Sequence, residues 1–534
     1  MDNKNIRQAI VTGETFLGIE FGSTRIKGVL IDHNFETIGS GIYDCENQLI
    51  NGYWTYDLNE LTTGLQKVYL QIKQEVENNY GVTLQKIGSI GCSAMMQGYI
   101  ALNHAGELIV PFRTWRNTTT SSASSQLTEK FQFKIPQRWS IAHLYQAILN
   151  EEEHVADLDY ITTLSGYFHR RLTEKRILGI GDASGMFPID ESKNQFNEVM
   201  LHQFSELIAH KKFPWKIKDI LPTVHTAGEH AGVLTETGAR LIDPSGDLQA
   251  GIRLCPPEGD AGTGMVATNS VKKQTGNISV GTSIFAMFVL QKNLSKVYPE
   301  IDIVTTPDGS PVAMVLANNC SSDINAWVNL FREFYEAMGQ KPDMNQLFNV
   351  LFNKALEADR DGGGLLSYGY YSGENITGFT KGRPLFIRSP ESRFNLANFM
   401  RTHLFTAFAA LRLGLDILTE KEQVKINSIT AHGGLFKTPL VGQKICAAAL
   451  NIPVSVMPTA GEGGAWGMAI LASYMVKKKP NEDLSNYLID KVFINTKGQE
   501  IYPDSEDVKG FSQFLECYVK GLPIEQAAIE YFVE

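Results

Sequence analysis

A chain of 534 residues with 43% hydrophobic and 20% charged side chains has material for two large cores and none of the charge excess of a disordered protein. Its 48 basic and 58 acidic residues leave a net charge of −10, and without basic tracts this argues against a nucleic-acid partner. No apolar run is long enough to cross a bilayer, and the opening MDNKNIRQAIVTGET lacks the apolar core of a secretion signal. The six cysteines are far apart with no Cys-x-x-Cys pair. The expectation is therefore a cytoplasmic enzyme without a membrane partner, a zinc framework or disulfides.

The stretch Leu17 to Asp32 reads as strand, tight turn and strand. Alternation places Glu20 on the face opposite Leu17, Ile19 and Phe21, beside a turn of Gly22, Ser23 and Thr24 whose amides and hydroxyls suit phosphate oxygens. An ordinary hairpin with a polar tip would look the same. A second copy changes the reading: Asn277 to Leu290 repeats the design around Gly281, Thr282 and Ser283, roughly half the chain later. Two such hairpins, each opening one half, point to a duplicated α/β domain gripping one polyphosphate.

Between them, Leu61, Leu65, Val68, Tyr69, Ile72 and Val76 fall at helical spacing, with Asn59 as the expected cap. Ile87 to Cys92 reads as a buried strand leading into Ser93, Met96, Gln97 and Gly98, then to a segment ending at Trp115 and Asn117. The Ser/Thr-rich run 117–130 is a solvated loop or helix start, and Leu164, Tyr167, Phe168 and Leu172 mark a helix. Asp182, in a Gly-rich stretch, reads as a turn or N-cap residue. The proline-rich 213–259 region is expected to be loops and short strands, and it ends on Gly259, Asp260 and Ala261 before a helix of small residues.

In the second half, Val312 to Cys320 reads as a strand, and Asp323 to Met338 and Leu396 to Leu418 read as amphipathic helices. Ile426 to Ala431 is a strand running into His432, Gly433 and Gly434. A Gly/Ala-rich helix follows around Gly463 and Gly464.

These features resemble the FGGY carbohydrate kinases. The resemblance rests on the paired Gly-hydroxyl turns, the Ser93 to Gly98 turn, Trp115 with Asn117, the Asp182-Ala-Ser-Gly segment, the Gly-Asp260-Ala motif and the glycines after the Ile426 strand. It implies two actin-like, ribonuclease-H-like ATPase domains flanking a central cleft, at 1–268 for sugar and catalytic base and 269–534 for nucleotide. It implies ATP and Mg²⁺ as cofactors, Asp260 as general base, Glu20 on the metal side, and Met96, Gln97, Trp115, Asn117 and Asp260 facing the sugar. Gly22, Ser23, Thr24, Gly281, Thr282, Ser283, Gly433, Gly434 and Gly463 would line the nucleotide. Four positions depart from the usual pattern: Glu20 and Asn117 stand where many members carry Asp, Gln97 where many carry His, and His432 where the family has the first glycine of a Gly-Gly-Gly turn.

The expected activity is transfer of the γ-phosphate of ATP to a small sugar, with a ketopentose such as xylulose or L-ribulose, or a related polyol, favoured by the Ser93 to Asn117 block. A sugar or nucleotide sensor with little activity stays open because of Glu20. An actin- or Hsp70-like partner-driving ATPase also stays open, although it has no need of a sugar-side block. Dimers are frequent among such kinases, so a homodimer is the assembly the resemblance suggests.

Overall fold

The computed structural model describes residues 3–457, 463–495 and 498–532. The chain divides into two compact units, the first comprising Met1–Lys272, Asp302–Val312 and Gly461–Thr496 and the second Lys273–Ile301, Ala313–Ala460 and Lys497–Glu534. The C-terminal half is thus shared between the units, and Gly463 falls in the first.

In the first unit the opening hairpin forms as expected. β1 (Phe16–Phe21) and β2 (Arg25–Ile31) pair antiparallel, with Glu20 opposite Lys27 and Phe21 opposite Ile26. β3 (Thr37–Asp44) continues the sheet beyond β2, and β4 (Ser89–Ala94) runs parallel to β1 on its other side. Two short strands, β5 (Arg253–Leu254) and β6 (Glu258–Gly259), run parallel to β4, giving the order β5-β4-β1-β2-β3 with β6 also on β4.

One sheet face is covered by α1 (Leu58–Tyr80), which buries the apolar stripe Leu61, Leu65, Val68, Tyr69, Ile72 and Val76 against Leu17, Ile19 and Phe21. The helix begins one turn-position earlier than expected: Asp57, not Asn59, is the N-cap, and its carboxylate accepts the Asn59 N–H at 2.8 Å. Asp wins because it stands one residue before the first helical position, where its oxygen can reach an orphan amide. Further on, the helix expected from Leu164 is α2 (Leu164–Thr173), capped by Thr163. The Ser/Thr-rich run resolves into a helix over Ser121–Phe131.

The other sheet face is covered by the helix Gly463–Lys477, which is apolar all round and buried from Gly464 to Tyr474. It lies against β1 at backbone distance. A Cβ on Gly18 would stand 2.0 Å from the Ala465 carbonyl oxygen and 2.4 Å from the Ala469 nitrogen. The same helix meets α3 (Asp260–Ala267), where a Cβ on Gly467 would stand 2.1 Å from the Thr263 carbonyl oxygen. Ser89 Oγ donates to the Ala472 carbonyl at 2.7 Å and Trp466 Nε1 to the Phe35 carbonyl at 2.9 Å, so both ends of the contact are pinned.

The second unit repeats the plan. β7 (Thr275–Val280) and β8 (Ile284–Val289) form the second hairpin, β9 (Pro311–Ala317) lies beyond β8, and β10 (Ser428–Gly433) runs parallel to β7. β11 (Val454–Val456) and β12 (Gln499–Ile501) extend the sheet past β10. A hairpin with a parallel strand beside its first member is therefore common to both units. The long helix Leu396–Asp416 is capped by Asn395 and buries sixteen of its residues, including Met400, Leu404, Phe408, Leu411 and Leu415.

Gly18→Ala is expected to lower the unfolding midpoint, at a cost of about 1–3 kcal/mol or more, because its methyl group would meet rigid helix backbone and not a movable side chain. An unchanged denaturation midpoint would contradict this packing.

Candidate active site

Glu20 sits on the β1 face that meets the Gly463–Lys477 helix, and its carboxyl accepts from the backbone N–H groups of Gly464 and Ala465. It is in effect a second-strand cap for a helix whose N-terminal amides lack intrahelical partners and favour negative charge. A Cβ on Gly464 would be 2.4 Å from Glu20 Oε1, so only glycine lets the carboxyl approach. Gly463, at φ 77, comes within 3.9 Å of both Glu20 Oε2 and Lys27 Nζ by the same construction. Burial, then the neighbouring Asp260 charge, raise the Glu20 carboxyl to about 7 against the opposing pull of the two amides and Lys27. Lys27 was not singled out from the sequence, although its two-residue spacing on the return strand puts it opposite Glu20.

Asp260 opens α3 directly after β6. Its Oδ1 accepts from Ala261 N at 2.9 Å and from Met96 N at 3.2 Å, which ties the α3 terminus to the loop after β4. Burial raises its carboxyl to about 6, with these amide bonds opposing. The Met96 loop turns sharply: Gln97 lies at φ 71 and Gly98 at φ 86, both left-handed, and Met96 and Gln97 are buried. Met96 packs on Gly259, where a Cβ would be 2.2 Å from its Cγ.

Behind Asp260 lie two more carboxyls. Asp182 is fully buried and accepts from the hydroxyls of Thr163 and Ser165. It is therefore an internal acceptor inside the short helix Ile180–Ala183, whose N-cap is Gly179, and not the turn or N-cap residue expected from its Gly-rich setting. Glu258 is buried on β6 and accepts from Asp182 N at 3.0 Å and Gly181 N at 3.3 Å. Burial raises both, helped by the Asp260 charge at Asp182 and by the Asp182 charge at Glu258, to about 7 for Asp182 and about 8 for Glu258. Glu258 escaped sequence reading, since a lone Glu in a proline-rich stretch carries no local sign of burial.

At the first turn, the Gly22 N–H is spent on the Arg25 carbonyl at 3.0 Å, and Cys45 N donates to the Thr24 carbonyl at 3.0 Å. Ser23 is held twice, its carbonyl accepting from Tyr56 Oη at 2.6 Å and its hydroxyl from Trp115 Nε1 at 3.2 Å. Trp115 is 38% exposed and so available to a ligand. Asn117 differs from the expectation of a sugar contact. It is buried, its Oδ1 accepts from Trp54 N at 2.8 Å, and its Nδ2 donates to the carbonyls of Trp54 at 2.9 Å and Thr114 at 3.0 Å. With its amide satisfied by backbone, Asn117 clamps the loop that carries Trp115.

The second unit's turn has the same anchoring with a shorter loop. Gly281 N donates to the Ser283 carbonyl at 2.9 Å and Cys320 N to the Thr282 carbonyl at 2.9 Å. Among the described residues, the side-chain hydroxyls of Thr24, Thr282 and Ser283 have no protein hydrogen-bond partner. The glycine amides of both turns are thus used internally, and the hydroxyls remain for a ligand. Gly433, at φ 115, is required by the fold, since a Cβ would lie 2.0 Å from the Val280 carbonyl oxygen. A Cβ on Gly434 would meet nothing within 4 Å, so its backbone borders open space. Residues 458–462, which precede Gly463 in the glycine-rich segment, lie outside the described residues.

Among the described residues no group of three or more His, Cys, Asp and Glu side chains is placed to hold a metal by itself. A donor set of one or two carboxylates, Glu20 with Asp260 close enough to raise its pKa, fits Mg²⁺, which keeps several waters and is otherwise held by phosphate oxygens.

The buried carboxyls predict a pH dependence of stability. Asp182 and Glu258 hold protons more tightly folded than unfolded, so their contribution is complete below about pH 4 and is lost as the pH rises toward 7 to 8. Glu258→Gln, which keeps the neutral shape, should flatten the upper part of that decline, so that the variant gains on the wild type in melting temperature between pH 6 and 8. Parallel curves would contradict a buried, proton-holding Glu258.

Comparison with known proteins gives the family. The chain matches the N-terminal domain of the FGGY family of carbohydrate kinases over residues 15–243 and its C-terminal domain over 276–476. It is 23% identical over 526 residues to the xylulose kinase of Haemophilus influenzae, covering 95% of this chain and 99% of that protein. The structure of a ligand-bound xylulose kinase from Lactobacillus acidophilus superimposes with a TM-score of 0.77 at 18% identity, covering 97% of this chain and 99% of that one. A Plasmodium falciparum glycerol kinase with ADP gives 0.76 at 15% identity, covering 94% and 97%. These likenesses show the actin-like fold of sugar kinases, as the family resemblance implied. The chain belongs to the FGGY family of carbohydrate kinases.

Proposed function

We propose that this sugar kinase transfers the γ-phosphate of ATP to a hydroxyl of a ketopentose, xylulose or L-ribulose, or of a related polyol, in the cytoplasm. The observation that carries the reading is the placement of Asp260: a half-buried carboxyl fixed through Oδ1 by two amides, with burial raising it to about 6, near the pH at which a base is most effective. The ketopentose preference draws on the likeness to the Haemophilus influenzae xylulose kinase. All six cysteines are free, five of them buried, which suits a reducing compartment. No helix among the described residues is long and apolar enough to cross a membrane.

In this mechanism the acceptor hydroxyl loses its proton to Asp260 as its oxygen forms a bond to the γ-phosphorus and the bond to ADP breaks. Anchoring Oδ1 leaves Oδ2 as the oxygen that takes the proton. Met96, Gln97 and the exposed ring of Trp115 orient the sugar, with Asn117 acting through the Trp115 loop. The hydroxyls of Ser23 and Thr24 contact phosphate oxygens, with Lys27 adding positive charge near the turn, and Thr282 and Ser283 present the same hydroxyl chemistry in the second unit. Gly434 gives the nucleotide close access to backbone. Glu20 would hold Mg²⁺, and the ion when bound would neutralise charge on the phosphate oxygens.

A panel of sugars and polyols assayed for ADP release should show turnover with one ketopentose far above the ATP-only rate; no sugar-dependent release from any of them would sink the assignment. Asp260→Asn should lower kcat by about 10²- to 10⁴-fold with ATP affinity nearly unchanged. In the wild type, kcat/KM should fall on acidification through about pH 6, as Asp260 is protonated; a flat acid limb would remove it as the base. Glu20→Gln should raise the Mg²⁺ concentration needed for half-maximal turnover by about 10-fold, the loss of roughly 1.4 kcal/mol of metal-side interaction. An unchanged Mg²⁺ titration would leave Glu20 as a helix cap alone.

A further inference from the structure

The hydrogen bond between Trp115 and Ser23 carries information beyond ring stacking. An indole N–H can only donate, so at 3.2 Å the Ser23 oxygen is the acceptor, and the hydroxyl's own hydrogen must point elsewhere. The second anchor, Tyr56 Oη on the Ser23 carbonyl, fixes the backbone to which this rotor is attached. The loop that carries the indole is itself held. Asn117 bonds both the N–H and the C=O of Trp54 and the Thr114 carbonyl, while Arg116 stacks 4.2 Å over the Trp54 ring and donates to Asn47 Oδ1 at 3.0 Å. Thr24, by contrast, is exposed and its hydroxyl is unheld by protein. Of the two hydroxyls at this corner, only that of Ser23 is given a direction.

We propose that Trp115 is a positioning residue for phosphoryl transfer: its N–H sets the Ser23 hydroxyl as a donor to an oxygen of the transferred phosphate, coupling the sugar-side loop to the phosphate turn. This rests on the kinase reading above. A hydrogen bond made to a charged oxygen is stronger than one between neutral groups, so a preset rotor matters most as charge builds on the phosphoryl oxygens. Sugar arriving at the exposed indole face would steady the loop and with it the Ser23 proton.

The test is a double-mutant cycle in the full chain with Trp115→Phe, which keeps a ring and removes the N–H, Ser23→Ala, and both together. Ser23→Ala should lower kcat by about 10- to 100-fold, the range for a lost hydrogen bond to a charged group. Trp115→Phe should lower kcat by about 3- to 10-fold in the wild-type background and have no further effect on kcat once Ser23 is Ala. Any change in sugar KM from the altered ring should persist in both backgrounds, which separates stacking from positioning. Equal losses of kcat from Trp115→Phe in both backgrounds, or none in either, would overturn the inference while an active wild type leaves the kinase assignment standing. Absence of sugar-dependent ADP release from the wild type would overturn both. Unfolding midpoints of all four proteins identify a variant that has merely lost its fold, and Trp115→His, which can restore a ring N–H donor, should then recover part of the kcat loss; failure to do so counts against the proposal.

Discussion

The approach of the Gly463–Lys477 helix to β1 is the constraint on which the rest of the first unit depends. Helix backbone reaches strand backbone at Gly18 and the α3 backbone at Gly467, distances that a single methyl group would forbid. Such contacts leave little room for adjustment, because protein interiors are packed like crystals. The helix terminus is therefore delivered to one place, beside Glu20, and α3 is held with its first residue, Asp260, at the same end of the sheet. Close packing of featureless residues fixes the positions of charged ones.

That end of the sheet gathers four carboxyls, Glu20, Asp182, Glu258 and Asp260, with backbone amides donating to Glu20, Glu258 and Asp260 and two hydroxyls to Asp182. Burial raises all four, but they differ in setting. Asp182 and Glu258 are sealed inside and support the turn behind the site, whereas Asp260 and Glu20 are half-buried and reachable. A base needs an accessible lone pair and an affinity for protons near the working pH, and Asp260 has both. The supporting pair contributes by keeping its own charge low, which limits repulsion against Asp260 when it ionises.

The duplicated hairpins use one device with two loop lengths. In each, a cysteine N–H beyond the next strand secures a turn carbonyl, Cys45 to Thr24 and Cys320 to Thr282, and the turn glycine's own amide is closed on its loop. The hydroxyl residues are then left at the tip. The longer first loop gives Ser23 room to meet Tyr56 and Trp115, while the second has no comparable aromatic partner among its described hydrogen bonds. The first turn is accordingly the one with a directed hydroxyl.

Much of this was legible in the order of residues. The hairpins follow from two-residue alternation around Gly-hydroxyl turns, α1 and the Leu396 helix from apolar stripes, and the prominence of Asp260 from the resemblance of its Gly-Asp-Ala motif to the FGGY kinases. These are local properties, encoded in residues a few positions apart. What neighbouring residues cannot encode is the partner. Asn117 reads as a ligand contact until Trp54 is found bonded to it, Asp182 as a cap until it is found buried beneath two hydroxyls, and nothing near Glu20 in the sequence shows that Gly464, more than four hundred residues away, donates to its carboxyl. Sequence alone settled which elements form and which face of each is apolar. Tertiary structure decided which polar groups are spent on the fold and which are left for chemistry, because only packing brings distant amides close enough to satisfy a buried oxygen.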